Sequence, residues 1–370
     1  MPGLIDYIAA QGSQTLDVSP LSAVDGLVFS AMSYIHLDGL IPDNPDQAPS
    51  VKEVAKTISS LPERERLARV RSLENQQLLE AMGHSPRFSG LRLTGFRDIK
   101  SPDLEMQFSA VTVLMGKDAF VTFRGTDGTL IGWKEDFNLG FLDTVPGQWE
   151  ACNYLSHMAA RVSGSLWAGG HSKGGNLAVF AAACASPGIM DRLKAVYNYD
   201  GPGFSQAVLS TSGYRDILPL IHTFVPQSSV IGMLLGHEEC YTVVLSNRKG
   251  LMQHDPYSWE IKDGSFVRLR EVTQKSCLVD QTLKKWITSL SPQEREAFVD
   301  TVYEILQSSG ASRTGELLLP DNILEIAKSL IKESPEVTLD KILLPLMALV
   351  RAAGETLAPF YLSIFPDTRP

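Results

Sequence analysis

The sequence has few cysteines and no long apolar run. Its four cysteines, Cys152, Cys184, Cys240 and Cys277, are widely spaced and form no C-x-x-C pair. This pattern indicates neither a zinc site nor a disulfide framework, and it is typical of core thiols in a reducing compartment. The N-terminus lacks a basic segment followed by an apolar one, and no run reaches the length of a membrane span. We therefore expect a cytoplasmic protein without a metal site.

Basic charge is also scarce. Lysine and arginine total 33 against 42 acidic residues, a net charge of -9, so the basic footprint of a nucleic-acid-binding protein is missing. No G-x-G-x-x-G or P-loop pattern opens a helix after a strand, and no nucleotide cofactor is expected. With 44% hydrophobic residues, a chain of 370 residues can bury a large core, with room for a catalytic domain and an appendage.

The most informative motif is Gly-His-Ser-Lys-Gly at residues 170–174, a G-x-S-x-G sequence. A short apolar run precedes it, and a stretch of small and apolar residues follows from Gly175, so the context predicts strand, tight turn and helix. Serine hydrolases present their nucleophile on such a turn, where glycines allow a strained backbone and close packing of helix on strand. The motif predicts Ser172 as a nucleophile.

The rest of the chain alternates between predicted strands and helices. Strand-like runs occur at 108–115, 119–123, 193–199, 221–225 and 241–245, and helical patterns occur at 21–35, 278–290 and 292–306. We expect Ser19 and Pro20 to cap the helix at 21–35. Alternation of this kind predicts an α/β fold with a mostly parallel sheet. We divide the chain into an N-terminal helical covering segment (1–90), a hydrolase core (91–270) and a C-terminal helical region (271–370).

A serine nucleophile needs a base, and seven histidines compete for that role. In the α/β-hydrolase order the base follows the nucleophile. This order removes His36, His84, His157 and His171 and leaves His222, His237 and His254. We predict His254, which lies in a loop after the last clear core strand; His222 lies inside an apolar strand and His237 in a polar run.

Three motifs in order resemble those of the class 3 (fungal-type) lipases. They are Phe-Arg-Gly-Thr at 123–126, the Trp133 to Asp136 spacing, and Gly-His-Ser-Lys-Gly-Gly at 170–175. The whole chain is similar to a bacterial family of lipase-like proteins called Mbeg-like. The resemblance implies an α/β-hydrolase fold and an acyl-ester or lipid substrate. In this fold the oxyanion donors are the N–H groups of Lys173 and Thr126, and the resemblance adds the Thr126 hydroxyl as a third donor.

The acid of the triad is open at this stage. Class 3 lipases are expected to carry an aspartate near the end of the strand that here reads 221–225, but no carboxylate stands in 221–229. Asp200, after the preceding strand, is our candidate, and it reads equally well as a turn aspartate bonded to local backbone. Asp255 is adjacent to His254 in the sequence, and its side chain should point away from the histidine. Glu238 or Glu239 could reach His254 only if their loop folded toward it. A dyad in which Ser228 or Ser229 orients the ring is a further alternative.

The predicted function is hydrolysis of carboxylic esters through an acyl-enzyme on Ser172, with no cofactor. A thioesterase, acyltransferase or amidase would use the same residues, and a catalytically lapsed binding or scaffold protein is the alternative of another class. The glycine-containing segment 127–147 has the composition of a lid over an apolar site. Apolar runs within 338–365 would pack on the protein itself, with contact to a membrane surface as the other option.

Overall fold

The computed structural model describes residues 2–11, 13–308, 345, 348 and 351. Its helices are α1 (Leu4–Gln11), α2 (Ala23–Met32), α3 (Val51–Ser59), α4 (Glu63–Val70), α5 (Leu73–His84), α6 (Leu130–Leu139), α7 (Pro146–Ala159), α8 (Lys173–Ala183), α9 (Pro187–Met190), α10 (Gln206–Leu209), α11 (Ser212–Ile217), α12 (Gln274–Ser289) and α13 (Pro292–Ser308). Its strands are β1 (Arg92–Ser101), β2 (Met106–Met115), β3 (Asp118–Phe123), β4 (Leu166–His171), β5 (Leu193–Tyr199), β6 (Ile221–Pro226), β7 (Tyr241–Val244), β8 (Ile261–Lys262), β9 (Ser265–Phe266) and β10 (Arg268–Leu269).

The central sheet has eight strands in the order β1-β2-β3-β4-β5-β6-β7-β10. Neighbours from β3 to β7 run parallel. The pairs β1–β2, β2–β3 and β7–β10 are antiparallel. Helices connect the parallel strands from β3 to β6, and a loop with a short 3-10 turn, Ile231–Met233, connects β6 to β7. The chain therefore has an α/β-hydrolase fold with a mostly parallel central sheet, which confirms the fold class predicted from the sequence.

Apolar layers cover both faces of this sheet. Side chains alternate across it, so that Phe120 and Tyr197 belong to the layer beneath α2, whereas Val121 and Val196 belong to the layer beneath α7 and α8. Both layers consist of almost fully buried side chains. The carboxyl ends of β3, β4 and β5 are thus held between two rigid layers, which fixes the loops that follow them.

The N-terminal cap of α2 differs from the prediction. Ser22, rather than Ser19 and Pro20, caps the helix, because its side chain accepts from Asp25 N while Asp25 accepts from Ser22 N. The buried carboxylate of Asp25 also receives two hydrogen bonds from Arg87, at 2.8 and 2.6 Å. Asp25 therefore serves as both cap and ion-pair partner, and it sets the start of the helix.

Strand β1 was not predicted. It is an edge strand that pairs only with β2, and its register shifts between Thr94 and Arg97. An edge strand with one partly exposed face carries charged side chains, and its apolar signal is weak. The pattern that identified the central strands is therefore absent.

Two helices, α12 and α13, follow the core, close to the predicted bounds. Trp286, Leu290, Phe298 and Val299 form a small apolar cluster that also contacts Phe137 and Phe141, in and just after α6. Most of the predicted apolar segment at 338–365 lies outside the described residues. Among the residues that the structure describes, no helix is both long and apolar enough to cross a bilayer. The division at residues 90 and 270 stays a prediction.

Candidate active site

Ser172 lies on the turn between β4 and α8. Its backbone has φ 59° and ψ -135°, a region that residues other than glycine rarely adopt. The turn is also tight, because a Cβ at Gly170 would lie 2.3 Å from the backbone of Gly174, and a Cβ at Gly174 would lie 2.1 Å from the carbonyl oxygen of Phe123. The strained serine is thus held by packing that only glycine permits on both sides.

Asp200 and His254 form a close pair beside this turn. Asp200 follows β5 directly and is buried, and its Oδ2 lies 2.7 Å from Nδ1 of His254. The other carboxylate oxygen, Oδ1, accepts from Ser229 Oγ at 2.5 Å and from Gly232 N at 3.2 Å. His254 ends a short 3-10 helix, Gly250–His254, and lines the same cavity as Ser172. The structure therefore brings together all three residues proposed from the sequence.

The alternative acids lie elsewhere. Asp255 pairs with Arg248 at 2.6 Å. Glu239 accepts from Tyr214 and Thr223 and faces His237. Burial opposes ionisation of Glu239, but its bonds to His237, Thr223 and Tyr214 outweigh that effect and lower its pKa to about 2. Ser229 contacts the carboxylate of Asp200, so it braces the acid instead of the ring.

The two predicted oxyanion donors line the same cavity as Ser172. Lys173 is the first residue of α8, where backbone N–H groups have no acceptor within the helix. Thr126 lies in the loop after β3. Arg124 begins this loop, and its buried guanidinium lies 2.9 Å from Asp98 and 3.4 Å from Asp127. These ion pairs fix the loop that carries Thr126.

The hydroxyl of Thr126 is engaged by Asp136. Thr126 Oγ1 donates to Asp136 Oδ2 at 2.5 Å, and Asp136 Oδ1 is buried without a hydrogen-bond partner among the described residues. Burial raises the pKa of Asp136 to about 6, although the positive charge of Lys173 and the bond from Thr126 act in the opposite direction. The availability of this hydroxyl as a third oxyanion donor therefore depends on the protonation of Asp136.

A buried ion pair ties the serine turn to α6. Lys173 Nζ donates to Glu135 Oε2 at 2.8 Å and to the carbonyl and side-chain oxygens of Gln107 at 2.8 and 3.0 Å. Glu135 also accepts from the N–H groups of Gln107 and Gly147. Both charged side chains are at most 1% exposed. Every polar atom of the pair has a partner, so the charges are compensated.

Helix α6 is also held from its outer side. Lys134 lies 2.6 Å from Glu105 and 2.8 Å from Asp300 of α13, and its ammonium stands over the ring of Tyr303. The segment 127–147, predicted as a lid, contains α6, and Trp133, Asp136 and Leu139 of this helix line the cavity. Displacing α6 would separate Lys173 from Glu135, and breaking a buried pair costs about 3–5 kcal/mol.

The cavity has a volume of about 700 Å³. Its apolar lining residues include Leu234 and Leu235, which follow β6, and Ile287 of α12; its polar lining residues include Arg248 and the buried Asn75. Ile287 and Tyr34 also line the cavity, and neither was predicted as a site residue. Among the described residues, no cluster of three or more histidine, cysteine, aspartate or glutamate side chains could hold a metal ion.

Comparisons with known proteins give one family and several structures. The family model described as Mbeg1-like matches residues 82–304. No curated protein matches the chain. A lipase–propeptide complex from Rhizomucor miehei is similar at 15% identity and a TM-score of 0.34, over 46% of this chain and 60% of that one. A mutant form of MDLA from Penicillium cyclopium is similar at 14% identity and a TM-score of 0.38, over 66% and 83%. A fungal lipase–inhibitor complex is similar at 13% identity and a TM-score of 0.35, over 61% and 79%.

Proposed function

Since the chain belongs to the Mbeg1-like family, and since its fold is that of an α/β-hydrolase, we propose that it is a serine hydrolase that cleaves carboxylic esters. Ser172 is the nucleophile, His254 the general base and Asp200 the acid. The observation that carries the proposal is the 2.7 Å bond between His254 and Asp200 in a cavity that Ser172 also lines.

The reaction proceeds in two steps. His254 takes the proton of the Ser172 hydroxyl as the oxygen attacks the ester carbonyl, and it returns that proton to the leaving alcohol. Asp200 holds the ring through Nδ1 and stabilises the imidazolium that forms. Water then attacks the acyl-enzyme with His254 again as the base, which releases the acid and restores Ser172.

The backbone N–H groups of Lys173 and Thr126 stabilise the oxyanion of each tetrahedral intermediate. Loss of one such donor typically costs 10²–10³ in rate, roughly 3–4 kcal/mol. The side chain of Lys173 is committed to Glu135 and Gln107. Its contribution to the oxyanion is therefore the main-chain N–H, which the start of α8 leaves without an intrahelical acceptor.

The substrate class is a small acyl ester or lipid. A volume of about 700 Å³ lies within the usual range for small-molecule sites. The apolar side chains that line the cavity suit an acyl chain, and the partly exposed Arg248 suits the alcohol portion. The four cysteines are unpaired, which favours a cytoplasmic location.

Labelling by a fluorophosphonate probe tests the proposal. Wild type should be labelled, and folded Ser172→Ala and His254→Ala variants should not. His222→Ala is the matched control, because His222 lies on β6 and does not line the cavity. A folded wild type that stays unlabelled would contradict the proposal and favour a binding or scaffold role. Turnover of acyl thioesters, amides or acceptor alcohols in preference to ester hydrolysis would identify the related activities.

A further inference from the structure

His171, the residue before Ser172, is buried between Tyr34 and His254. The Tyr34 hydroxyl oxygen lies 3.1 Å from Nδ1 of His171, and Nε2 of His171 lies 2.6 Å from the carbonyl oxygen of His254. The two imidazole rings have centroids 4.5 Å apart. Chain order excludes His171 as the base, yet it contacts both the backbone of the proposed base and a tyrosine from the N-terminal segment.

The protonation of His171 follows from its surroundings. Burial lowers the pKa of His171 well below its usual value, and a positive charge on His254 would lower it further, whereas the bond to the His254 carbonyl acts in the other direction. The ring is therefore neutral and carries one N–H. A carbonyl oxygen only accepts, so the proton is on Nε2, and Nδ1 accepts from the Tyr34 hydroxyl. Both hydrogen bonds are therefore donated in the same direction: Tyr34 donates to His171, and His171 donates to the carbonyl oxygen of His254.

The residues on either side of His254 are anchored to other parts of the loop. The side chain of Gln253 is bonded to Ser228 N and to the Arg248 carbonyl, and its carbonyl oxygen accepts from Trp259 Nε1. Asp255 is paired with Arg248, and its carbonyl oxygen accepts from the Ser258 hydroxyl. His254 itself is held at two points, by its ring to Asp200 and by its carbonyl oxygen to His171. Since His171 is joined by one peptide bond to Ser172, the carbonyl contact sets the position of the proposed base relative to the nucleophile.

Tyr34 contacts both the serine turn, at His171, and the loop that carries Thr126, at Gly125. It follows α2, outside the residues 82–304 that match the family model. A Cβ at Gly125 would lie 2.3 Å from its hydroxyl oxygen, so Tyr34 also packs against the loop that carries Thr126. Burial raises the pKa of Tyr34 above its usual value, with Arg124 opposing the shift, so the phenol keeps its proton and remains a donor.

We propose that Tyr34 and His171 are positioning residues that hold His254 in register with Ser172 through a directed hydrogen-bond chain. The proposal rests on the proposed serine hydrolase function. It gives the N-terminal segment a part in the site: the segment supplies the donor that fixes the tautomer of His171, and His171 in turn fixes the backbone of the base.

The test compares Tyr34→Phe, His171→Gln and His171→Phe with wild type. Misplacement of a catalytic group by about 1 Å can cost 10²-fold in rate. We expect kcat to fall about 10-fold in Tyr34→Phe and about 100-fold in His171→Phe, with KM within about twofold of wild type. His171→Gln should recover most of kcat, because a glutamine amide N–H can replace Nε2–H toward the His254 carbonyl.

Tyr154→Phe is the matched control. The Tyr154 hydroxyl is also buried and has one partner, Thr112, at 3.0 Å on the far side of the sheet. Removing it should lower stability without lowering kcat. Equal losses of kcat in Tyr154→Phe and Tyr34→Phe, or a His171→Gln variant no better than His171→Phe, would overturn the positioning role.

A second readout does not require turnover. The His254 N–H that is bonded to Asp200 should give a low-field proton NMR signal in wild type, His171→Gln and Tyr154→Phe. The signal should broaden in Tyr34→Phe and disappear in His171→Phe. If wild type is not labelled by the fluorophosphonate, the proposed function fails, and this signal still tests the chain. If it is unchanged in folded Tyr34→Phe and His171→Phe, the chain is not what positions His254.

Discussion

Replacement of Lys173 by methionine should destabilise the fold far more than loss of an ordinary surface charge. Methionine keeps the backbone N–H of residue 173 and much of the side-chain volume, but it leaves Glu135 buried with only the N–H donors of Gln107 and Gly147. Removal of one partner of a buried ion pair costs about 3–5 kcal/mol, because the remaining charge is uncompensated.

The loss can be converted to a melting temperature. Unfolding entropy is about 2.1 cal/mol/K per residue, which gives roughly 0.65 kcal/mol/K for the cooperative unfolding of the residues that the structure describes. Lys173→Met should therefore lower Tm by about 5–8 °C. In the double variant Lys173→Met/Glu135→Gln neither member of the pair is charged, and at least half of the loss should be recovered.

Differential scanning calorimetry on the single and double variants measures these shifts. The matched control is Lys284→Met, since Lys284 is half-exposed and lies 2.9 Å from Asp280 one helical turn away. An exposed pair of this kind contributes about 0.3–0.5 kcal/mol, so the control should lose less than about 1 °C. A Lys173→Met variant that melts within 1 °C of the control, or a double variant no more stable than the single one, would refute the reasoning.

Three further changes probe the site. Asp200→Asn should lower kcat by about 10⁴ with an unchanged fold, because the ring of the base loses its orienting carboxylate. The control Glu238→Gln, at an exposed position, should leave kcat unchanged. Steady-state kinetics measures kcat and circular dichroism checks the fold; equal kcat values for the two variants would exclude Asp200 as the acid. Ser172→Gly should be more stable than Ser172→Ala by about 1 kcal/mol, since glycine adopts φ 59° without strain, and equal melting temperatures would argue against strain at this turn. The pKa of Asp136 is raised to about 6, so the folded state binds its proton more tightly than the unfolded state does. Wild type should therefore gain about 2 kcal/mol over Asp136→Asn as pH falls from 7 to 4. A difference between their urea-unfolding free energies that does not vary with pH would contradict this.

Local patterns predicted the central strands β2 to β7 and the nucleophile turn. The turn at Ser172 was visible because strand, glycines and helix lie within a few residues of one another. Asp200 remained one of several candidates, because its pairing with His254 spans 54 residues and depends on how the loop after β5 meets a distant 3-10 helix. Tyr34 was missed altogether, since its partner His171 is 137 residues away and no periodicity marks it.

The strand β1 and the cap of α2 were missed for a different reason. At an edge strand the sheet buries less of each side chain, so the apolar signal that identified β2 and β3 is weak. At the cap, Ser22 and Asp25 form the capping box, and the prediction chose Ser19 and Pro20 instead; Arg87, 62 residues from Asp25, holds the same carboxylate. A local sequence window does not show contacts between residues that are so far apart in the sequence.

The clamped helix α6 bears on how a substrate arrives. With Glu135 bonded to the serine turn on one side and Lys134 bonded to α13 on the other, α6 is fixed in the wall of the cavity. On the proposed function, a hydrolase built in this way has no need of an oil–water boundary to move α6 away from Ser172. We expect it to draw single dissolved molecules from solution, with a rate that saturates smoothly and shows no jump when the substrate begins to form micelles.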